Sequence, residues 1–256
     1  MTAVPIRARM NSAQEEAEWK LRTDLARVFR MHARWDWNEG LGNHHSVMLP
    51  AGQGDRPLFL VNPRGLLFQE ITASNLIVCD LEGNVVRGSG ELRKVAFCIH
   101  ARIHLVNPKA VAVLHVHPQY LTALSLIERG RMELSHFNNL MLNDRTVYDE
   151  EIDAISPEEG DRYGRLLGEN KTILIMPAHG VTVVGPTIHD AFDELWGAER
   201  TAMYQFTALQ TGQVLRKLPD RMRKRYYGPL DERWDSRLHL DAWRRILDKE
   251  EPDYAS

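Results

Sequence analysis

Two histidines at i and i+2, His115 and His117, close the apolar run Val111-Ala-Val-Leu and stand directly before Pro118. The run has strand character, and side chains two apart on a strand share a face, so both imidazoles can converge on one ion. Pro118 stops the strand and leaves the pair at its carboxyl end, where ligands bind in open α/β sheets. Two neutral imidazoles are a partial site for zinc or a similar divalent metal. A second apolar run, Lys171 to Met176, leads into Pro177-Ala-His179-Gly180, whose turn residues offer a third histidine at a strand end. Three histidines leave metal positions open, as catalytic sites do and closed structural sites do not. The competing reading is that these are satisfied or exposed polar residues with no ligand.

The elements that must position them follow from periodicity. Residues 14–33 carry apolar side chains at helical spacing (Trp19, Leu21, Leu25, Val28, Phe29), with Ser12 as cap and the residues before it loose. Short strands are expected at 46–49, 57–61, 75–80 and 85–88, the last two joined as a hairpin by Glu82-Gly83-Asn84. A helix over 92–105 leads into the strand of His115 and His117, and 119–128 returns as a helix. Ser156-Pro157 with Glu158 and Glu159 starts a helix reaching residue 167, and Thr187 opens one reaching 211. Trp243, Ile246 and Leu247 would dock a terminal helix on the body.

With 256 residues and 43% hydrophobic content, the chain can bury one sizeable core, and one domain is expected over 1–256. A formal charge of −3 shows no general bias toward nucleic acid, and the basic run Arg221 to Arg225 reads as a solvated helix face. No apolar segment approaches the ~20 residues of a membrane span, and no apolar stretch follows Arg7 and Arg9 as a secretory signal would require. Cys79 and Cys98 sit in apolar settings and read as reduced core thiols of a cytoplasmic protein.

From about residue 19 to 212 the chain resembles the class II aldolase/adducin family. The resemblance rests on Asn43-His-His-Ser46, Phe59 to Phe68 with Glu70-Ile-Thr-Ala-Ser74, Phe97-Cys-Ile-His100-Ala-Arg-Ile-His104, the His115/His117 strand, and His179-Gly180 followed by Ala191 to Leu195. It implies an α/β/α sandwich around a mostly antiparallel sheet, and a homotetramer with metal sites near subunit interfaces. It assigns His115, His117 and His179 as ligands of one divalent ion per subunit: zinc first, with manganese, iron or cobalt as alternatives. Residues 62–74 resemble the adducin-like branch more than the sugar-phosphate aldolases; that branch holds a cytoskeletal protein and enzymes of other chemistries.

Departures from the aldolases are the more informative part. Counting back from His115 without a gap, the aldolases' catalytic glutamate falls on Ala96, which cannot abstract a proton. His100, where the family also has a histidine, supports that count. Glu91 reads as an exposed carboxylate rather than a substitute. The aldolases' Gly-Asn-x-Ser becomes Asn43-His44-His45-Ser46, their Thr-Gly becomes Arg64-Gly65 and their Ser-Ser becomes Lys94-Val95. The resemblance thus makes His44, Ser46, Arg64, Gly65 and Lys94 the substrate-binding set. Guanidinium and ammonium groups in place of hydroxyls favour a small carboxylate over a sugar phosphate, unless Arg64 and Lys94 are merely solvated. His136 falls where aldolases donate a tyrosine across the interface, and a histidine there can deliver a proton. His100 and His104, four apart on a helix, are either acid/base and orienting groups or packing histidines. Tyr226 and Tyr227 are either near the metal cleft or packing anchors.

The expected activity is metal-assisted carbon–carbon bond cleavage. Decarboxylation fits the loss at Ala96 better than a full aldol cycle, because it needs an electron sink and a proton donor but no initial C–H base. A non-haem iron oxygenase and a non-catalytic adducin-like interaction module are the alternatives.

Overall fold

Strand alternation decides where the chemistry lies. In the computed structural model, which describes residues 13–50, 56–153, 155–219, 221–222 and 235–256, eight strands form one sheet. They are β1 (His44–Met48), β2 (Leu58–Val61), β3 (Ile77–Asp80), β4 (Val85–Arg87), β5 (Ala112–Val116), β6 (Thr146–Tyr148), β7 (Ile173–Met176) and β8 (Gly180–Gly185). Their order is β4-β3-β2-β1-β5-β8-β7-β6, antiparallel throughout except for the parallel β6–β7 edge. Ala112, Leu114 and Val116 of β5 point into one core with helices α1 (Ala13–Arg34) and α7 (Ile188–Leu209). Val113 points to the other face, against Ile99, Ile103, Tyr163 and Leu167. Helices cover both faces, so the expected α/β/α sandwich around a mostly antiparallel sheet is the fold.

Pairing register then places the polar residues. His44 lies opposite His115, and Ser46 opposite Val113, so His44 and Ser46 share the His115 face while His45 goes to the other. There His45 stacks on Phe29, with ring centroids 4.6 Å apart.

The helix expected over 92–105 spans 94–106 but changes pitch. It runs as α2 (Lys94–Ala96), a π-helical turn (Phe97–Ala101) and α3 (Arg102–Val106). Such turns widen a helix locally and recur at functional sites. Helix α6 (Pro157–Leu167) begins as anticipated, its N-cap Ser156 accepting from the Glu159 N–H, and packs on the π turn through Gly160. A Cβ there would stand 1.8 Å from the Cys98 carbonyl oxygen and 2.8 Å from Arg102 Cβ. Gly160→Ala must therefore push α6 off the turn that carries His100. We expect a loss of about 2–4 kcal/mol in urea unfolding, in the range of overpacked cores; an unchanged midpoint would show that the two helices are not in this contact.

Several boundaries differ from expectation. The return helix α4 (Gln119–Ser125) stops short, leaving Leu126 and Ile127 exposed. Helix α5 (Phe137–Leu142) and strands β6 and β8 lacked a clear signal in the sequence. The terminal helix α8 (Ser236–Glu250) docks through Leu240, Leu247 and Trp243, whose ring meets Trp35 edge-on at 5.4 Å, whereas Ile246 stays 37% exposed. Cys79 and Cys98 are free and buried, and burial pushes the Cys79 thiol up to about 12. Ser12, Tyr226, Tyr227 and most of the basic run lie outside the described residues. Among the described residues no helix is long and apolar enough to cross a membrane.

Candidate metal centre

β1 runs antiparallel to β2 and β5, and β5 and β7 antiparallel to β8. The start of β1 and of β8 therefore meets the ends of β2, β5 and β7 at one edge of the sheet. There the imidazoles of His115, His117 and His179 come together, with ligand nitrogens within 4.8 Å of one another. His115 is buried, and the other two are half-buried.

The His115 ring is held from behind, and the other two are placed by their backbones. His115 Nδ1–H donates to the Val181 carbonyl oxygen at 3.1 Å, with Thr182 Oγ1 at 3.2 Å, which leaves Nε2 as the free lone pair. His117 is fixed through its backbone, whose N–H donates to the Trp37 carbonyl at 3.0 Å. Its Nε2 is buried without a partner among the described residues, and Glu39 Oε2 lies 3.9 Å from Nδ1. Gly180 permits the approach: a Cβ there would fall 2.6 Å from His117 Cδ2 and 2.8 Å from the Val116 carbonyl oxygen. His179 follows Ala178, a non-glycine residue at φ +51°, a strained conformation held by the Ala178 N–H bond to Ser125 O at 2.9 Å. Pro118 turns the chain into α4, whose first N–H groups, Tyr120 and Leu121, both donate to buried Glu199 at 2.8 Å. Burial raises the Glu199 carboxyl to about 7, against the pull of those two N–H groups.

Burial lowers the pKa of all three histidines, His117 to about 4, so they stand neutral near pH 7 with lone pairs available. Three converging neutral imidazoles, one with its remaining nitrogen satisfied and one with a buried nitrogen unpartnered among the described residues, fit a divalent ion of the zinc type.

Behind this cluster runs a chain of buried polar groups. His44 stacks on His115 with centroids 5.0 Å apart, and its Nδ1 lies 2.7 Å from His100 Nε2. His100 Nδ1 lies 2.5 Å from Ser46 Oγ, which lies 2.7 Å from His104 Nε2. His104 Nδ1 ends the chain at the Ala110 carbonyl oxygen, 2.6 Å away. Of the expected substrate-binding set, His44 thus adjoins the cluster, while Ser46 has its hydroxyl committed between two histidines.

The remaining candidates form a rim of stitched loops. The Arg64 N–H donates to Glu91 O at 2.9 Å, the Asn62 side chain bridges Asn43 and His45, and Arg93 donates to the Leu41 carbonyl. Gly65 adopts φ +92°, which a residue with a Cβ would resist. Arg64 is exposed and 3.6 Å from the equally exposed Glu91 carboxylate. Lys94 is exposed, and its charge is felt at the Cys98 thiol. Arg93, its neighbour, is a cation whose charge acts on His44. Glu39 was also missed, because nothing in Trp37-Asn-Glu-Gly40 marks a loop beside His117. His136 stands apart: its Nδ1 caps α5 by accepting from Asn138 N–H, and its ring lies 5.0 Å from Tyr204. Ala96, at the aldolases' glutamate position, is buried.

Residues 23–206 match the family model of the class II aldolase and adducin N-terminal domain. The chain belongs to this family. A Caulobacter vibrioides protein assigned to aldolase class 2 is 34% identical over 77% of this chain and 76% of its own length. Human beta-adducin is 28% identical over 77% of this chain but only 27% of its own. A crystal structure of an aldolase II superfamily protein from Pseudomonas syringae superposes with a TM-score of 0.87 at 28% identity, covering 99% of this chain and 100% of that one. Membership in the family accounts for the sandwich.

Proposed function

We propose that this family member is a metal-dependent carbon–carbon lyase of a small carboxylated substrate, decarboxylating it in preference to running an aldol cycle. The observation that carries the reading is the convergence of His115, His117 and His179 on one point at the sheet edge. When bound there, a divalent ion, zinc first, supplies Lewis-acid stabilisation for the negative charge left as the bond breaks. Arg64 and Arg93, on loops tied to the same edge, offer the cationic groups that recognise a carboxylate. Buried Ala96 offers no base for C–H abstraction, which disfavours enolisation as the first step. Glu39, an exposed carboxyl 3.9 Å from His117, is placed to return a proton to the product carbon. His136 would take part from a neighbouring subunit, in a homotetramer of the kind the resemblance implies.

The adducin relatives support a second reading, a non-catalytic interaction module. The two separate cleanly. Zinc- or manganese-loaded protein is offered a panel of keto, hydroxy and aromatic hydroxy acids, with release of carbon dioxide or aldehyde as the readout. Turnover of at least one acid is expected, and no sugar phosphate should be cleaved. A chain that takes up no metal would leave the interaction module; one that binds iron and consumes oxygen would be an oxygenase.

A further inference from the structure

The chain of polar groups behind the metal centre has a fixed direction, because one end is a carbonyl. The Ala110 oxygen can only accept, so His104 must carry its proton on Nδ1 and present a bare Nε2. Ser46 then donates to His104 and must accept from His100 Nδ1–H. His100 Nε2 is therefore bare and accepts from His44 Nδ1–H. The last lone pair in the series is His44 Nε2, which is buried and has no partner among the described residues. Every group in the series is buried, and no carboxylate among the described residues hydrogen-bonds to it.

The geometry points to His44 as a specificity-determining residue whose Nε2 accepts a hydrogen bond from a hydroxyl of the bound substrate. This inference rests on the metal-dependent reading above and narrows its substrate class to hydroxy acids, or acids binding as enols. A donor on the ligand would satisfy the orphaned nitrogen, whereas a carboxylate oxygen would set lone pair against lone pair. His44 therefore cannot help to hold the carboxylate as the substituted phosphate site suggested; that group belongs toward Arg64 and Arg93. His100 and Ser46 become positioning residues that fix the acceptor from behind. A second such series on the other face gives the contrast: His45 Nδ1–H donates to the His44 carbonyl, and His45 Nε2 accepts from His32. It ends at a His32 nitrogen packed among Trp35, Trp37 and Phe192, whereas the series through His44 ends against His115.

Two measurements test it. In the metal-free full chain labelled with ¹⁵N-histidine, His44 should show a protonated Nδ1 and a bare Nε2, assigned by the loss of its signals in His44→Gln. In the zinc-loaded protein, calorimetric titration should find lactate binding about tenfold tighter than its O-methyl ether, the worth of roughly one hydrogen bond. That preference should vanish in His44→Phe, which keeps a planar ring but offers no acceptor. A proton on His44 Nε2, or equal affinity for lactate and the ether in the wild type, would overturn the inference. Failure to take up zinc together with a bare Nε2 would overturn the metal reading instead, and with it the assignment of the occupant.

Discussion

His115→Ala should leave a folded chain that no longer retains metal. A set of protein ligands holding structural zinc contributes roughly 10–16 kcal/mol in all, or about 3 kcal/mol per ligand, so losing one weakens binding at least ~100-fold. The loss here should be larger, because His115 is the ligand whose second nitrogen is held by the Val181 carbonyl. Elemental analysis of protein purified without chelator should find about one ion per subunit in the wild type and next to none in the variant. Truncation also opens a cavity at a residue that is 1% exposed, at a cost of about 1–3 kcal/mol. Stability must therefore be compared in chelator, where wild type and variant should differ by that amount only. Adding zinc should then raise the wild-type melting temperature, since a ligand that binds only the native state stabilises it by mass action, and leave the variant unmoved. Equal metal content in the two proteins would remove His115 from the site and with it the basis of the lyase reading.

The parts of this site legible in the sequence are those where local pattern and function coincide. His115 and His117 are on one face because a strand has a period of two, and Pro118 says where it ends. His179 was legible because Pro177 and Gly180 mark its turn, although the strained Ala178 that aims it carries no signature in composition. His44, His45 and Ser46 look alike in sequence, and only the pairing of β1 with β5 shows that His45 faces the other way. Register between strands 71 residues apart is a tertiary fact that no single segment encodes. The same limit applies to Lys94: spacing against a family pattern assigned it to the substrate site, while only the fold shows Lys94 exposed at the helix start and the neighbouring Arg93 donating to the Leu41 carbonyl. The π turn was invisible for a different reason. Phe97 to Ala101 is ordinary helix-compatible sequence, and the bulge lies where Gly160 brings α6 against it.

Acid should destabilise this protein steeply between pH 7 and pH 5, above the range in which ordinary carboxylates titrate. Burial lowers His32 to about 3 and His104 to about 4, and holds His44, His45, His100 and His115 well below the ordinary histidine value. In the unfolded chain each returns to about 6.5. A group whose pKa is depressed by folding contributes stability above its unfolded pKa and forfeits it as pH falls toward the folded one. Between pH 7 and pH 5 the unfolded state takes up a proton at each of these sites and the native state does not, which costs about 2 kcal/mol per histidine. His32 and His104 alone then cost about 4 kcal/mol. Glu199 has the opposite sign: raised to about 7, it is protonated first in the native state and returns about 2 kcal/mol over the same interval. The four histidines around the metal centre and β1 add to the loss and decide the balance, against a total stability of about 5–15 kcal/mol for a domain. Urea midpoints measured in chelator should therefore fall steeply from pH 7 to pH 5. Zinc should delay the fall, because its ligands must be unprotonated to bind. A midpoint that stays level to pH 5 would mean that the buried histidines are solvated or already charged in the native state, and would undo the neutral hydrogen-bond series that ends at His44.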